Sequence, residues 1–336
     1  MSTEPYVRQD PNPVDLVFPM PQGAIDAHMH VIGPFDRFPL APTTRYEPFE
    51  ATWQEQKEIL IDRVGFWGYV VVQATCHGTD NRVVIDALDH MEGRAAGVAS
   101  VTEDVGDDEL ARMHEAGVRG IRFAFLPHIA RETTPADVIL RIAQRIAPMG
   151  WHTDLYFLPD TFEVMEPLIR SLPTPVIIDH MGRPDVNVPV EENEYFKRLV
   201  DLGASREDIY WKVTSPDRYT RSARPEDWPV ALPFACELVR LFPGNVLSGT
   251  DRPRPNMNTV ILTGRGDPPN KMPNDGEIAN EWIWPAAGRD PAVLERMLVT
   301  NPRKLYEFAG PAAAGSRSWK PPLEAAAGSP GSPGTY

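Results

Sequence analysis

The stretch Gly23-Ala-Ile25-Asp26-Ala27-His28-Met29-His30 joins a short apolar run to two histidines spaced two residues apart. Side chains two apart in a β-strand share a face, so a strand here carries both imidazoles to one side of the sheet, as a pair of ligands or hydrogen-bond donors. Taken alone, the string would also fit two ordinary strand histidines. Two further apolar runs end in the same manner, Val176-Ile-Ile-Asp179-His180 and Val246-Leu-Ser-Gly-Thr-Asp251. That company points to one polar centre at which several strands terminate.

Outward from this stretch, short β-rich runs recur at 24–31, 69–74, 95–101, 120–125, 152–157, 175–181, 209–214 and 246–251. Helical segments fall between them at 52–66, 81–91, 107–116, 135–147, 161–171, 194–202 and 227–242. This alternation predicts an α/β chain with a parallel sheet and crossover helices, and eight units close a (β/α)8 TIM barrel. Chemistry in that fold sits at the C-terminal strand ends, where His28, His30, Arg122, Tyr156, His180, Thr214 and Asp251 fall. The barrel is expected over 23–309, preceded by an arm, 1–22, and followed by a low-complexity tail, 310–336, whose Gly, Ala, Ser and Pro content predicts disorder. Segment 253–275, rich in Pro, Asn and Gly, is placed to overhang the barrel mouth as a lid or specificity loop.

With 336 residues, 42% of them hydrophobic, the chain can bury a large core. A net charge of −14 and a pI near 5.0 exclude nucleic acid and anionic membrane surfaces as expected partners, since both require a cationic face. The absence of a long apolar run and of a basic leader with an apolar core predicts a cytoplasmic protein. Cys76 and Cys236 supply neither a disulfide framework nor a CxxC metal motif.

His28, His30, His180 and Asp251 are the right inventory for a mononuclear divalent metal such as zinc, and equally for a metal-free site. With a metal, bound water is acidified and Asp251 accepts its proton; without one, Asp251 alone acts as general base while the histidines stabilise the developing oxyanion. Both alternatives predict hydrolysis of an activated carbonyl. The fourth run, Gly120-Ile-Arg122-Phe, has no lysine to carbamylate, so a binuclear centre is not expected. Arg122 and Arg218 are expected to bind an anionic substrate bidentately, with Arg252 and Arg254 following the last strand. Thr75, His77, Tyr156 and Tyr46 are further candidates in loops or at strand ends, each also explicable by capping or packing.

The strings Ile25-Asp-Ala-His-Met-His30, Val72-Gln-Ala-Thr-Cys-His-Gly-Thr-Asp-Asn81, Arg119-Gly-Ile-Arg-Phe123, Ile177-Ile-Asp-His-Met-Gly-Arg-Pro-Asp185, Ser215-Pro-Asp-Arg218 and Gly249-Thr-Asp251 resemble the amidohydrolase superfamily, in its branch of 2-pyrone-4,6-dicarboxylate and 4-sulfomuconolactone lactonases. The resemblance runs from about Gly23 to Tyr306. It implies a hydrolase of a small anionic lactone in bacterial aromatic degradation, with Asp251 as base and His28, His30 and His180 polarising the carbonyl. Arg122, Arg218, Tyr156, Thr75 and Tyr46 match substrate-contacting positions. The dicarboxylate lactonases of the branch need no metal, whereas some relatives are described with zinc held by the same His and Asp set. Two departures bear on the substrate: a family Lys-Arg pair is replaced by Pro127 and His128, and Trp-Pro-His-Pro by Arg252-Pro-Arg254-Pro. His128 and Arg252 therefore join the substrate-binding candidates. The alternative activity within the superfamily is zinc-dependent decarboxylation of a carboxylated aromatic or muconate. The sequence leaves oligomeric state open.

Overall fold

The computed structural model describes residues 8–44, 46–126, 134–254 and 272–308. Eight strands, β1 (Ile25–Met29), β2 (Gly68–Val72), β3 (Ala95–Ala99), β4 (Val118–Ala124), β5 (His152–Tyr156), β6 (Val176–Ile178), β7 (Ile209–Val213) and β8 (Val246–Ser248), pair in parallel and in chain order. Helices cross between them: α1 (Trp53–Gln56, continued as a π-turn over Lys57–Val64), α2 (Arg82–Asp89), α3 (Asp107–Ala116), α4 (Ala136–Ile146), α5 (Phe162–Ser171), α6 (Glu194–Ala204), the short α7 (Pro216–Thr220) and α8 (Leu232–Leu241). The result is the expected (β/α)8 barrel. The seam lies beyond β8, where Asp251 N–H donates to His28 O at 2.8 Å and His30 N–H to Arg252 O at 2.7 Å. Closure thus joins the two stretches that carry His28, His30 and Asp251.

Strand periodicity sorts the core. Tyr69, Val71, Leu155, Val176, Ile178 and Trp211 pack with helix residues such as Leu60, Leu88, Ile142, Leu199 and Leu238, while Val70, Val72, Val98 and Leu247, on the opposite strand faces, cluster with Tyr306 and Phe308. Burying two such layers is the main driving force for closing the sheet. Several expected boundaries moved. The helix expected over 227–242 starts as α8 at Leu232 after a 3-10 turn over Pro225–Ala231, because Pro229 and Pro233 lack the N–H groups of a continuous helix interior. Strands β6 and β8 stop at Ile178 and Ser248 because the chain then turns: His180 and Asp251 have φ of 49° and 57°.

The arm is described from Arg8. Gln9 pairs with Met272, Val14 N–H and Val17 N–H donate to Asn274 and Asn280, and Phe18 stacks on Trp284. His128, the tail 310–336 and positions 255–271 of the expected loop lie outside the described residues. Among the described residues no helix is long and apolar enough to cross a membrane.

Candidate active site

Asp251 sits at the centre of a buried polar cluster. Its Oδ1 lies 3.2 Å from His30 Nε2 and 3.5 Å from His28 Nε2, and its Oδ2 accepts from Ser215 Oγ at 2.7 Å and Arg218 Nη2 at 3.2 Å. Burial by itself would raise this carboxyl, but the His30 hydrogen bond and the Arg218 charge outweigh it and hold Asp251 well below the usual carboxylate range. His180 packs against His28, ring centroids 5.0 Å apart, and its Nδ1 is hydrogen-bonded to Thr214 Oγ1 at 2.7 Å. Burial pushes His28 down to about 4, helped by the Lys212 charge and opposed by Asp179 and Asp251, and it pushes His180 down as well. Both rings are therefore neutral at pH 7. The four residues expected to do the chemistry meet in one place.

The imidazole protons can be traced through their partners. His30 Nδ1 donates to Val72 O at 2.8 Å, and its Nε2 is hydrogen-bonded to Asp251 Oδ1 at 3.2 Å. His28 Nδ1 faces Asp179 Oδ1 at 3.5 Å, and its buried Nε2 has no hydrogen-bond partner. Two imidazole nitrogens and a carboxylate oxygen thus converge, with ligand atoms all within 4.8 Å of one another. A divalent metal there would take the place of the proton shared by His30 and Asp251, and the donor set of His28, His30 and Asp251 fits one. A second triad, His28, Asp179 and His180, has similar spacing but does not fit. Both Asp179 oxygens already face cations, Lys212 Nζ at 3.3 Å and Arg122 Nε at 2.7 Å. Each would repel an added positive charge by about 4 kcal/mol per unit at 4 Å and an effective dielectric near 20.

Beneath this cluster runs a buried ionic chain. Lys212 Nζ bridges Asp179 and, at 2.7 Å, Asp154; Asp154 in turn lies 3.0 Å from His152 Nδ1. Gly120 on β4 makes room for that imidazole, because a Cβ there would come within 2.1 Å of the His152 ring. The lysine and arginine overcome desolvation to hold Asp179 well below its usual range. Removing one member would strand a buried charge, a loss of about 3–5 kcal/mol.

An amidohydrolase family model matches residues 25–308, which contain every residue of this cluster. The chain belongs to the amidohydrolase family. A 2-pyrone-4,6-dicarboxylate hydrolase of Comamonas testosteroni is 38% identical over 301 residues, covering 88% of this chain and 93% of that protein. A 4-sulfomuconolactone hydrolase of Rhizobium radiobacter is 33% identical over 291 residues, covering 87% and 92%. Among solved structures, a putative 2-pyrone-4,6-dicarboxylic acid hydrolase from Pseudomonas putida superposes with a TM-score of 0.71 at 25% identity, covering 85% of this chain and 98% of that one.

Around the centre of this amidohydrolase the expected substrate contacts divide. Arg122 lies over the Tyr156 ring at 5.0 Å, the same ring meets His180 edge-on at 4.6 Å, and Arg218 reaches Asp251. These three stand at the site. Thr75 and Tyr46 bond each other at 3.1 Å between side-chain oxygens, and Tyr46 packs with Ile32, Ala51, Ala74 and Cys76. His77 accepts from Gly33 N–H and bonds Pro39 O, a loop-fastening arrangement. Arg252, expected to reach substrate, is instead a strut. Its guanidinium donates to Gln56, Asp275, Gln9 and Glu55 at 2.6, 2.6, 3.3 and 3.1 Å, because the chain direction after the seam carries it toward α1 and the arm. Gln56 passes the constraint on by donating to His30 O.

Several participants escaped the sequence reading. Lys212 is a charged residue inside the otherwise apolar or aromatic β7, and that was its available signal, whereas Asp154 stands beside His152 and Thr153 in β5 and Asp179 just beyond β6. Arg183, whose Nη1 donates to Tyr156 Oη at 2.8 Å, and Ser215 follow strand ends in loops with no periodicity to betray them. Asp26 belongs to the seam, accepting from Thr250 N and Oγ1 and from His28 N; burial pushes it up to about 7 against those bonds.

Proposed function

We propose that this amidohydrolase hydrolyses an anionic lactone, 2-pyrone-4,6-dicarboxylate first and 4-sulfomuconolactone second, the order following the identities of 38% and 33% to the relatives so named. The observation that carries this reading is the buried Asp251 carboxylate set against His28 and His30, with Arg122 and Arg218 alongside. In the reaction a water held at Asp251 loses its proton to the carboxylate as its oxygen attacks the lactone carbonyl. The carbonyl–ring oxygen bond then breaks, and Asp251 returns the proton to the departing ring oxygen. A carboxylate held far below its usual range is a weak base. When Arg218 turns from Asp251 toward an anionic group of the substrate, Asp251 loses a stabilising charge and gains basicity, so that substrate binding primes the base. His28 Nε2, His30 Nε2 and Asp251 Oδ1 would hold a divalent cation, which supplies Lewis-acid polarisation of the carbonyl when bound.

The test is the loss of pyrone ultraviolet absorbance on incubation with purified protein, with and without chelator, repeated with 4-sulfomuconolactone. Hydrolysis of either lactone is expected, and the chelator arm reports metal dependence. No hydrolysis of either, or carbon dioxide release from a carboxylated aromatic, would remove this reading in favour of the decarboxylase one.

A further inference from the structure

Asp217 lies between two guanidinium groups. Its side chain is fully buried and neither carboxylate oxygen has a hydrogen-bond partner among the described residues, yet Arg218 Nε stands 3.5 Å from Oδ2 and Arg254 Nη1 3.7 Å from Oδ1. Arg254 is held in place: residue 254 has a φ of 59°, its N–H donates to Asp251 O, and its Nε and Nη2 both donate to Thr250 O at 3.2 and 3.1 Å. Only Nη1 is left, buried, without a hydrogen bond and turned to Asp217. Arg218 likewise retains a buried Nη1 with no hydrogen-bond partner, while its Nη2 reaches Asp251. The row therefore alternates Arg254, Asp217, Arg218, Asp251, two guanidinium groups against two carboxylates.

We propose that Arg254 and Asp217 set the charge selectivity of the site. Arg254 neutralises Asp217, so that Arg218 can give its open Nη1 to a second anionic group on the substrate without stranding a buried carboxylate. Without Arg254 the row would carry one excess negative charge and would reject a dianion more than a monoanion, on the order of tenfold for one charge several ångströms away in a partly screened interior. Removing Asp217 has the opposite sign. From its place three residues after Asp251, Arg254 thus links Thr250 O to the residue preceding Arg218.

This inference rests on the reading of the site as one for anionic lactones, and its test separates the two. Steady-state kcat and KM for 2-pyrone-4,6-dicarboxylate and for a pyrone monocarboxylate are measured with full-length wild type, Arg254→Met, Asp217→Asn and the double variant. Calorimetric affinities for benzene-1,3-dicarboxylate and benzoate give a readout free of turnover. Arg254→Met should lower the dianion-over-monoanion preference roughly tenfold, mainly through KM; Asp217→Asn should raise it, and the double variant should return it toward wild type. Equal losses for both charge classes, no return in the double variant, or no preference for the dianion in wild type would overturn the proposal. If Arg254→Met does not fold, Asp217→Asn decides alone, and an unchanged preference in it is fatal. Charge preference that follows these variants in calorimetry, with no lactone hydrolysed, supports the selectivity device and removes the lactonase reading; hydrolysis with preference untouched does the reverse.

Discussion

At Asp251, desolvation favours the neutral acid while the His30 hydrogen bond and the Arg218 charge favour the anion, and the anion prevails. A substitution that preserves shape but removes the negative charge separates binding from chemistry. Asp251→Asn should lower kcat by on the order of 10³-fold or more while substrate binding stays measurable by calorimetry; turnover within tenfold of wild type would deprive Asp251 of the role of base. A second residue-scale prediction concerns the Cys76 thiol, which burial beside Tyr46 pushes up from 9.0 to about 12. The folded protein then holds that proton more tightly than the unfolded chain, so this contribution to stability is complete below pH 9 and is lost as pH rises toward 12. The stability advantage of wild type over Cys76→Ala, from urea titrations, should shrink between pH 8 and 11. A constant difference would contradict it.

Among the elements, β6, β7 and β8 end alike. Each is followed within three residues by a non-glycine in the left-handed region, His180, Ser215 and Asp251, with φ of 49°, 56° and 57°. Such conformations cost roughly 1–3 kcal/mol each and survive where surrounding bonds over-determine them. Here Thr214 fastens His180, and Ser215 and Asp251 fasten each other. The seam between β1 and β8 depends on Gly249, since a Cβ there would stand 2.3 Å from Asp26 Oδ1 and 2.5 Å from His28 N. Gly249→Ala should therefore cost about 1–3 kcal/mol, visible as a lower urea midpoint, and should reduce kcat by displacing His28. A midpoint within experimental error of wild type would show that the seam tolerates the displacement.

At the scale of the whole molecule, an acidic chain of net charge −14 encloses a site edged by Arg122, Arg183, Arg218 and Arg254. The convergent ring nitrogens of His28 and His30 with the Asp251 carboxylate predict that zinc binds the folded protein. Zinc at 100 times its Kd should stabilise by about 2.7 kcal/mol, seen as a rise in Tm of metal-stripped protein. His30→Ala should abolish that rise, and a wild-type Tm indifferent to zinc would dismiss the triad as a cation site.

Local pattern made the barrel legible: eight short β-rich runs with helical segments between them are properties of neighbouring residues, and each strand-end histidine or aspartate announces itself within five or six positions. The polar centre of His28, His30, His180 and Asp251, with Arg122 and Arg218, was read in the same way. What local pattern does not contain is the partner of a charged side chain. Arg252 and Arg254 are alike in sequence, yet one is spent on Gln56, Asp275, Gln9 and Glu55 and the other on Thr250 and Asp217. Lys212 likewise acquires its place from Asp154 and Asp179 on two other strands. The sequence by itself determined which residues would stand at the mouth of a barrel; closure of the barrel alone decided which charges meet, because ionic partners are set by through-space distance, and these lie tens to hundreds of positions apart along the chain.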